Sequence, residues 1–219
     1  MAIKNSFLLS IVAIVLLAIF SCKARPEPPT PAQELYANFQ PVAPSDTLLV
    51  GLDSVAGEHS REIPARLLLA AIDSALIAEM LYEPDTFDFR GRAYWKLGLD
   101  ENFEACLIGI QQVWFHFKYL LIYSKHAESF VGLIPVAYLY GGDGGQILCE
   151  SRVFDLAARP VIVTGYQEHH IRWNETNPDE PEAIDLKSVG LRQWAPGGFQ
   201  EIPVQDSSKW LKMVPMPYD

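Results

Sequence analysis

The chain is poor in cysteine, in basic residues and in catalytic signatures. Only three of its 219 residues are cysteine (Cys22, Cys106 and Cys149), and no two stand in a C-x-x-C spacing. That argues against a zinc ribbon or a thioredoxin-like dithiol. Lysine and arginine number 17 against 27 aspartate and glutamate, a formal net charge of -10. Nucleic acid is therefore not expected as a partner, because its phosphates demand a basic stripe. Charge alone would not hold the chain on anionic lipid either. There is no G-x-S-x-G nucleophile elbow, no H-E-x-x-H zinc helix and no phosphate-binding G-x-x-x-x-G-K-S/T loop. These absences leave open a triad assembled from distant residues, recognised by geometry rather than order. His59, His116 and His126 are available for one.

What is present begins at the N-terminus. Lys4 is followed by an apolar run from Phe7 to Phe20, broken only by Ser10. A bilayer span needs roughly 20 apolar residues, so the run is short for one. It fits the hydrophobic region of an export signal, about 7–15 residues long. The run ends Ile19-Phe20-Ser21-Cys22. Phe20 does not suit the small-x-small site of ordinary signal cleavage.

This ending resembles the lipobox of bacterial lipoproteins, in the looser form of Bacteroidota-type lipoproteins, where cleavage precedes a cysteine that carries the acyl chains. The resemblance covers the first 22 residues and carries no activity with it. It implies a signal peptide over 1–21, lipidation at Cys22 and a place in the cell envelope. Two acyl chains anchor stably, at about 0.8 kcal/mol per buried methylene, where one chain is marginal. The chain lacks the acidic run after the cysteine that typically marks surface export in this group. The expected location is therefore the outer membrane, facing the periplasm. Asp46-Thr47-Leu48 also matches the short O-glycosylation pattern of that group.

Six prolines lie between residues 23 and 46. The expectation is that 22–46 form an extended, polyproline-like tether. Residues 47–219 suffice for one domain with its own core. Within it, Thr47–Leu52 reads as a short strand. Pro64 to Leu81 reads as one helix, with Leu68, Ile72, Leu76 and Met80 forming an apolar stripe at i+4 spacing. The remainder reads as about seven or eight strands at regular spacing: 92–98, 103–110, 113–124, 131–140, 146–155, 160–173, 187–194 and 198–204. Short connections favour antiparallel neighbours in a meander. The expected fold is mostly β, or α+β, with one packed helix. In VWFHFKYLLIYS both alternating faces are partly apolar, so this strand should be central and covered on both sides.

Candidate chemistry is sparse. His169 and His170 are adjacent, but successive strand residues point to opposite faces, so the rings should diverge. His170 then shares a face with Glu168. Tyr140-Gly141-Gly142-Asp143-Gly144-Gly145 could hold an anion or a calcium ion at Asp143. One carboxylate is too few for calcium, and glycines needed for a hairpin explain the run. The acidic stretch 175–185 reads as a solvated loop. Trp95, Trp114 and Trp173 read as core aromatics, and Trp210 as one that either contacts a partner or folds back to close the domain. Cys106 and Cys149 read equally as a disulfide or as small buried hydrophobes.

The binding candidates are thus Asp143, Glu168, His170 and Trp210, with Cys22 as the lipid site. No cofactor or metal is implied. The expected role is a lipid-anchored envelope protein that binds or scaffolds a protein partner without catalysis. The alternatives are a hydrolase or metal-dependent enzyme acting on envelope polymers, and a glycan-binding module.

Overall fold

The computed structural model describes residues 27–43, 47–52, 60–83, 88–142, 144–156, 159–172 and 182–214. Eight consecutive strands form an antiparallel meander. They are β4 (Phe89–Gly98), β5 (Phe103–Gln112), β6 (Phe115–Ser124), β7 (Ser129–Gly142), β8 (Gly145–Leu156), β9 (Arg159–Arg172), β10 (Glu182–Ala195) and β11 (Gly198–Glu201). Three short strands precede them. β1 (Gln40–Pro41) lies parallel to β4, β2 (Leu48–Val50) pairs with β8, and β3 (Arg61–Ile63) pairs with β4. Four short helices complete the described chain: α1 (Pro31–Tyr36), α2 (Ala65–Ala71), α3 (Ser74–Met80) and α4 (Ser207–Leu211).

Alternation along the strands sorts the apolar residues into layers. β5 sends Cys106, Ile108 and Ile110 to one side and Ala105 and Leu107 to the other. β6 does the same with Tyr119, Leu121 and Tyr123 against Leu120 and Ile122. Both strands are central and covered twice. The first side packs under α1, α2 and α3 through Leu35, Leu68, Ile77 and Met80. The second side meets Val153 of β8, Ile162 of β9 and Trp194 of β10. The sheet therefore coils until its second half lies across the first. A third cluster, around Leu148, Val161, Val163 and Leu191, packs against the C-terminal segment with Val214 and Trp210.

Irregular pairing accompanies the coil, including two register shifts between β6 and β7, at Lys118/Tyr119 and Ile122/Tyr123. In β4 the register shifts between Ala93 and Lys96. Ala93 then serves the helix side, while Trp95 and Leu97 serve the interior. Such a bulge re-aims side chains and increases twist. In β7, pairing to β8 covers only Tyr138–Gly142, and β2 takes the place of β7 beside Ser151–Val153. Pro135 stands in the part of β7 bonded to β6 alone, where a missing N–H is tolerated.

Three expectations need correction. The helix over 64–81 is two helices. Ile72 is extended (φ -115°, ψ 139°), and Asp73 caps the next helix by accepting from Ala75 N at 2.8 Å. An Asp at the N-cap competes with continuing the helix. The span 22–46 is not a tether throughout. Thr30 and Gln33 form a capping box around α1, with Pro31 in its first turn, and Leu35 and Phe39 are core residues. Finally, Val113 and Trp114 are not strand residues. Gln112 pairs with Phe115, so they form a two-residue hairpin tip. Among the described residues, no helix is long and apolar enough to cross a membrane.

Candidate functional site

The histidine pair separates as the strand period requires. His169 Nδ1 meets Asp185 Oδ1 of β10 at 2.7 Å, in direct cross-strand register. His170 Nε2 meets Glu168 Oε2 at 3.2 Å, two residues along the same face of β9. The two imidazoles line different clefts. Among the described residues no three His, Cys, Asp or Glu side chains gather as a metal site. The acidic stretch is not all loop, since Glu182–Asp185 open β10. Of the other candidates, Trp210 folds back, its ring stacked on Phe154 at 6.4 Å. Asp143, Trp173, His59 and Cys22 lie outside the described residues, and so does Asp46 of the glycosylation pattern.

Cys106 and Cys149 are both free and buried, so they act as small hydrophobes and not as a disulfide. Burial pushes the Cys106 thiol well above its ordinary value and the Cys149 thiol up to about 12. Neither is a nucleophile at neutral pH, because reactivity follows the thiolate.

The feature that stands apart is the end of the sheet where the β5–β6 and β7–β8 hairpins turn. Val113 has φ 55°, and it is β-branched. A positive φ at the first residue of a two-residue loop belongs to glycine by preference. For a β-branched residue it is a steric outlier. Trp114, beside it, is 75 % exposed, and Val113 is 52 % exposed. Local chemistry thus opposes both the turn and the exposure.

Around this tip the aromatic rings are continuous. Trp114 lies 5.6 Å from Phe115, which stacks on Tyr140 at 5.8 Å and meets Tyr82 at 4.2 Å. Phe117 and Tyr138 extend the series behind them. Leu139, Tyr140 and Ile171 add further exposed apolar surface on the neighbouring strands. Between the two hairpins lies a shallow cleft of about 330 Å³, with Trp114, Leu139 and Ile171 beside Gln146 and His169. Its floor is backbone. A Cβ on Gly141 would come within 2.7 Å of Gln146 Cβ and Gly145 O, and Gly144 has φ +100°. The glycine run is therefore required by close strand approach and a left-handed turn residue.

Sequence reasoning placed Trp114 in the core because it falls among apolar companions in the alternating stretch 113–124, read as a strand. No linear signal marks the tip, because Val113 and Trp114 continue the alternation of the strand that follows and the polar pair Gln111-Gln112 reads as the connection.

No family model, no curated protein and no solved structure matches the chain. The fold defines it as a mostly β protein built on one coiled mixed sheet, with α1, α2 and α3 packed on its first strands and α4 on its last.

Proposed function

We propose that this protein is a lipid-anchored envelope protein, held by Cys22 in the outer membrane and facing the periplasm. Its work is non-catalytic binding of a protein partner through the aromatic end of the sheet. The observation that carries this reading is Trp114, exposed on a hairpin tip whose backbone is strained to present it. Strain and exposed apolar surface persist where function requires them. Tryptophan and tyrosine are the side chains that dominate protein interfaces.

Position along the sheet supports the same reading. α1, the described element nearest Cys22 in sequence, sits at the other end of β6. Tyr36 stacks on Tyr123 at 4.1 Å, and Gln33 Nε2 donates to Glu128 Oε2 at 2.6 Å. β6 has ten residues, which at about 3.4 Å each sets the aromatic end about 30 Å from the anchored end. An anchor at Cys22 would thus leave the aromatic end directed away from its own membrane.

The test is a photo-crosslinking residue placed at 114 in living cells, with position 126 in the β6–β7 turn as the control. One defined protein adduct from 114, absent from 126 and lost when the anchor is removed by Cys22→Ala, is the expected result. No adduct from 114, or the same adducts from both positions, overturns the reading.

A glycan is the second reading, favoured by the backbone floor and by Gln146 and His169 beside the indole. Soluble envelope glycans would then shift the fluorescence of exposed Trp114, and the shift would vanish in Trp114→Phe.

A further inference from the structure

The interior face of β4, β5 and β6 changes character before it reaches the hairpin tip. Gly109 and Gln111 continue the face of Ala105 and Leu107, and His116 and Lys118 continue that of Leu120 and Ile122. Pairing fixes two rows across the three strands. Arg90 stands opposite Gln111, which stands opposite His116. Arg92 stands opposite Gly109, which stands opposite Lys118. The result is a trough over β5, walled by arginines on one side and by histidine and lysine on the other. Its walls are two strand spacings apart, about 10 Å. These residues line one cleft of about 250 Å³.

Its floor is built. Gly109 bears no side chain, and a Cβ there would lie 3.0 Å from the Tyr94 ring, which leans over it. Lys118 is buried, and its ammonium donates to the carbonyls of Gly51 and Leu52, the latter at 2.6 Å. That fixes one positive charge at the base of the wall. Arg90 and Arg92 are exposed, two residues apart on one strand face. Arg92 donates to Ser60 Oγ at 3.3 Å. Among the described residues, Glu62 is the one acid lining the cleft, opposite Arg92 on β3.

This arrangement runs against the whole molecule, which carries 27 acids and 17 lysines and arginines. Like charges held side by side on a sheet face repel and destabilise it. An anion seated over β5 reverses that cost. Arginine presents a planar fork of donors that matches phosphate or carboxylate oxygens. Cations on both walls match a multiply charged group better than a single carboxylate. We propose that this trough binds a phosphate group, borne either by a soluble ester or by a phospholipid headgroup. The proposal rests on different residues from the aromatic end, so either can fail alone.

The test is calorimetric titration of the full-length protein in detergent with pyrophosphate, at low and at physiological salt. Short-chain phosphatidylglycerol below its micelle concentration serves as the second probe. Saturable binding that weakens with salt is expected. Arg90→Ala and Arg92→Ala should each weaken it about tenfold, the usual worth of one charge-assisted hydrogen bond. Glu62→Gln should tighten it, and Arg159→Ala, outside the trough, should leave it unchanged. Gln111→Glu places a negative charge on the floor without removing a wall, and should abolish binding in a protein that still melts as the wild type does. Tighter binding of phosphatidylglycerol assigns the headgroup, and tighter binding of pyrophosphate assigns the soluble ester. Failure of both probes to bind saturably overturns the proposal. So does equal affinity in the wild type and an Arg90→Ala/Arg92→Ala double variant.

Discussion

Two hairpin turns at opposite ends of β5 solve the same problem in opposite ways. At the β4–β5 turn, Asp100 Oδ1 accepts from Asn102 N at 2.7 Å and Phe103 N at 2.9 Å. Its other oxygen accepts from Trp194 Nε1 at 2.7 Å. The turn is polar, its backbone donors are satisfied, and it clasps β10 across the coiled sheet. Trp194 is buried there, edge-on to Phe103 and Phe199. At the β5–β6 turn, Val113 and Trp114 satisfy nothing locally and face solvent. One tryptophan closes the fold, and the other takes no part in closing it. Turn chemistry that fits its sequence is structural here, and turn chemistry that contradicts it faces solvent.

The comparison can be broken first at the buried tryptophan. Trp194→Ala should cost about 3–5 kcal/mol of stability in urea unfolding, as large-to-small changes in a core do. Trp114→Ala should change stability by less than about 0.5 kcal/mol. Equal losses would erase the distinction between the two turns.

The next largest effect is at Asp100. Asp100→Ala leaves the buried indole N–H and two turn N–H groups without their acceptor, for a loss of about 1–3 kcal/mol. The same group gives a pH signature. Burial opposes its charged form, but the hydrogen bonds from Trp194, Asn102 and Phe103 and the nearby Lys125 outweigh it. Together they hold the carboxyl below its ordinary 3.8. A lowered folded-state value means stabilisation that is complete above pH 3.8 and is lost as the pH falls from there through the folded-state value. Unfolding midpoints measured down this range should fall more steeply in the wild type than in Asp100→Ala.

The smallest effect sharpens the contrast. Val113→Gly relieves the positive φ, and the fold should gain about 1 kcal/mol, the strain released less the added chain entropy of glycine. Crosslinking from 114 should weaken in the same variant, because the tip is freer. A destabilised Val113→Gly would show that the turn is not strained.

Much of the fold was legible in the sequence because strand alternation is a local property. All eight meander strands fall close to the stretches expected from pattern, including the double covering of β6. The parts misread depend on competition between local signals. Thr30-Pro31-Ala32-Gln33 carries a helix start, but the surrounding prolines read as extended chain. Asp73 followed by Ser74 marks a helix start inside an apolar stripe that looks continuous. The candidate site was less legible. Trp114 looked like core, because it continues the alternation of 113–124, and only the pairing register shows that β6 begins after it. Arg90 and Arg92 lie on β4 and His116 and Lys118 on β6, with β5 between them, and no linear spacing brings the four together.

The pairing of β2 with β8 sets the order in which the molecule can be assembled. Leu52 N donates to Glu150 Oε1, 98 residues further along the chain, and Leu48 pairs with Val153. The hairpins β4 to β8 close short loops and can form early, whereas β2 must wait for β8 and bear the entropy of a long loop. A chain that emerges N-terminus first therefore makes its first strands first and seats them late. Until then the open stretch of β8 beside Ser151–Val153 is an unguarded edge, free to pair with a foreign strand. Fast hairpin formation in the meander, followed by a slower step that buries Val50, is the kinetic trace this topology should leave.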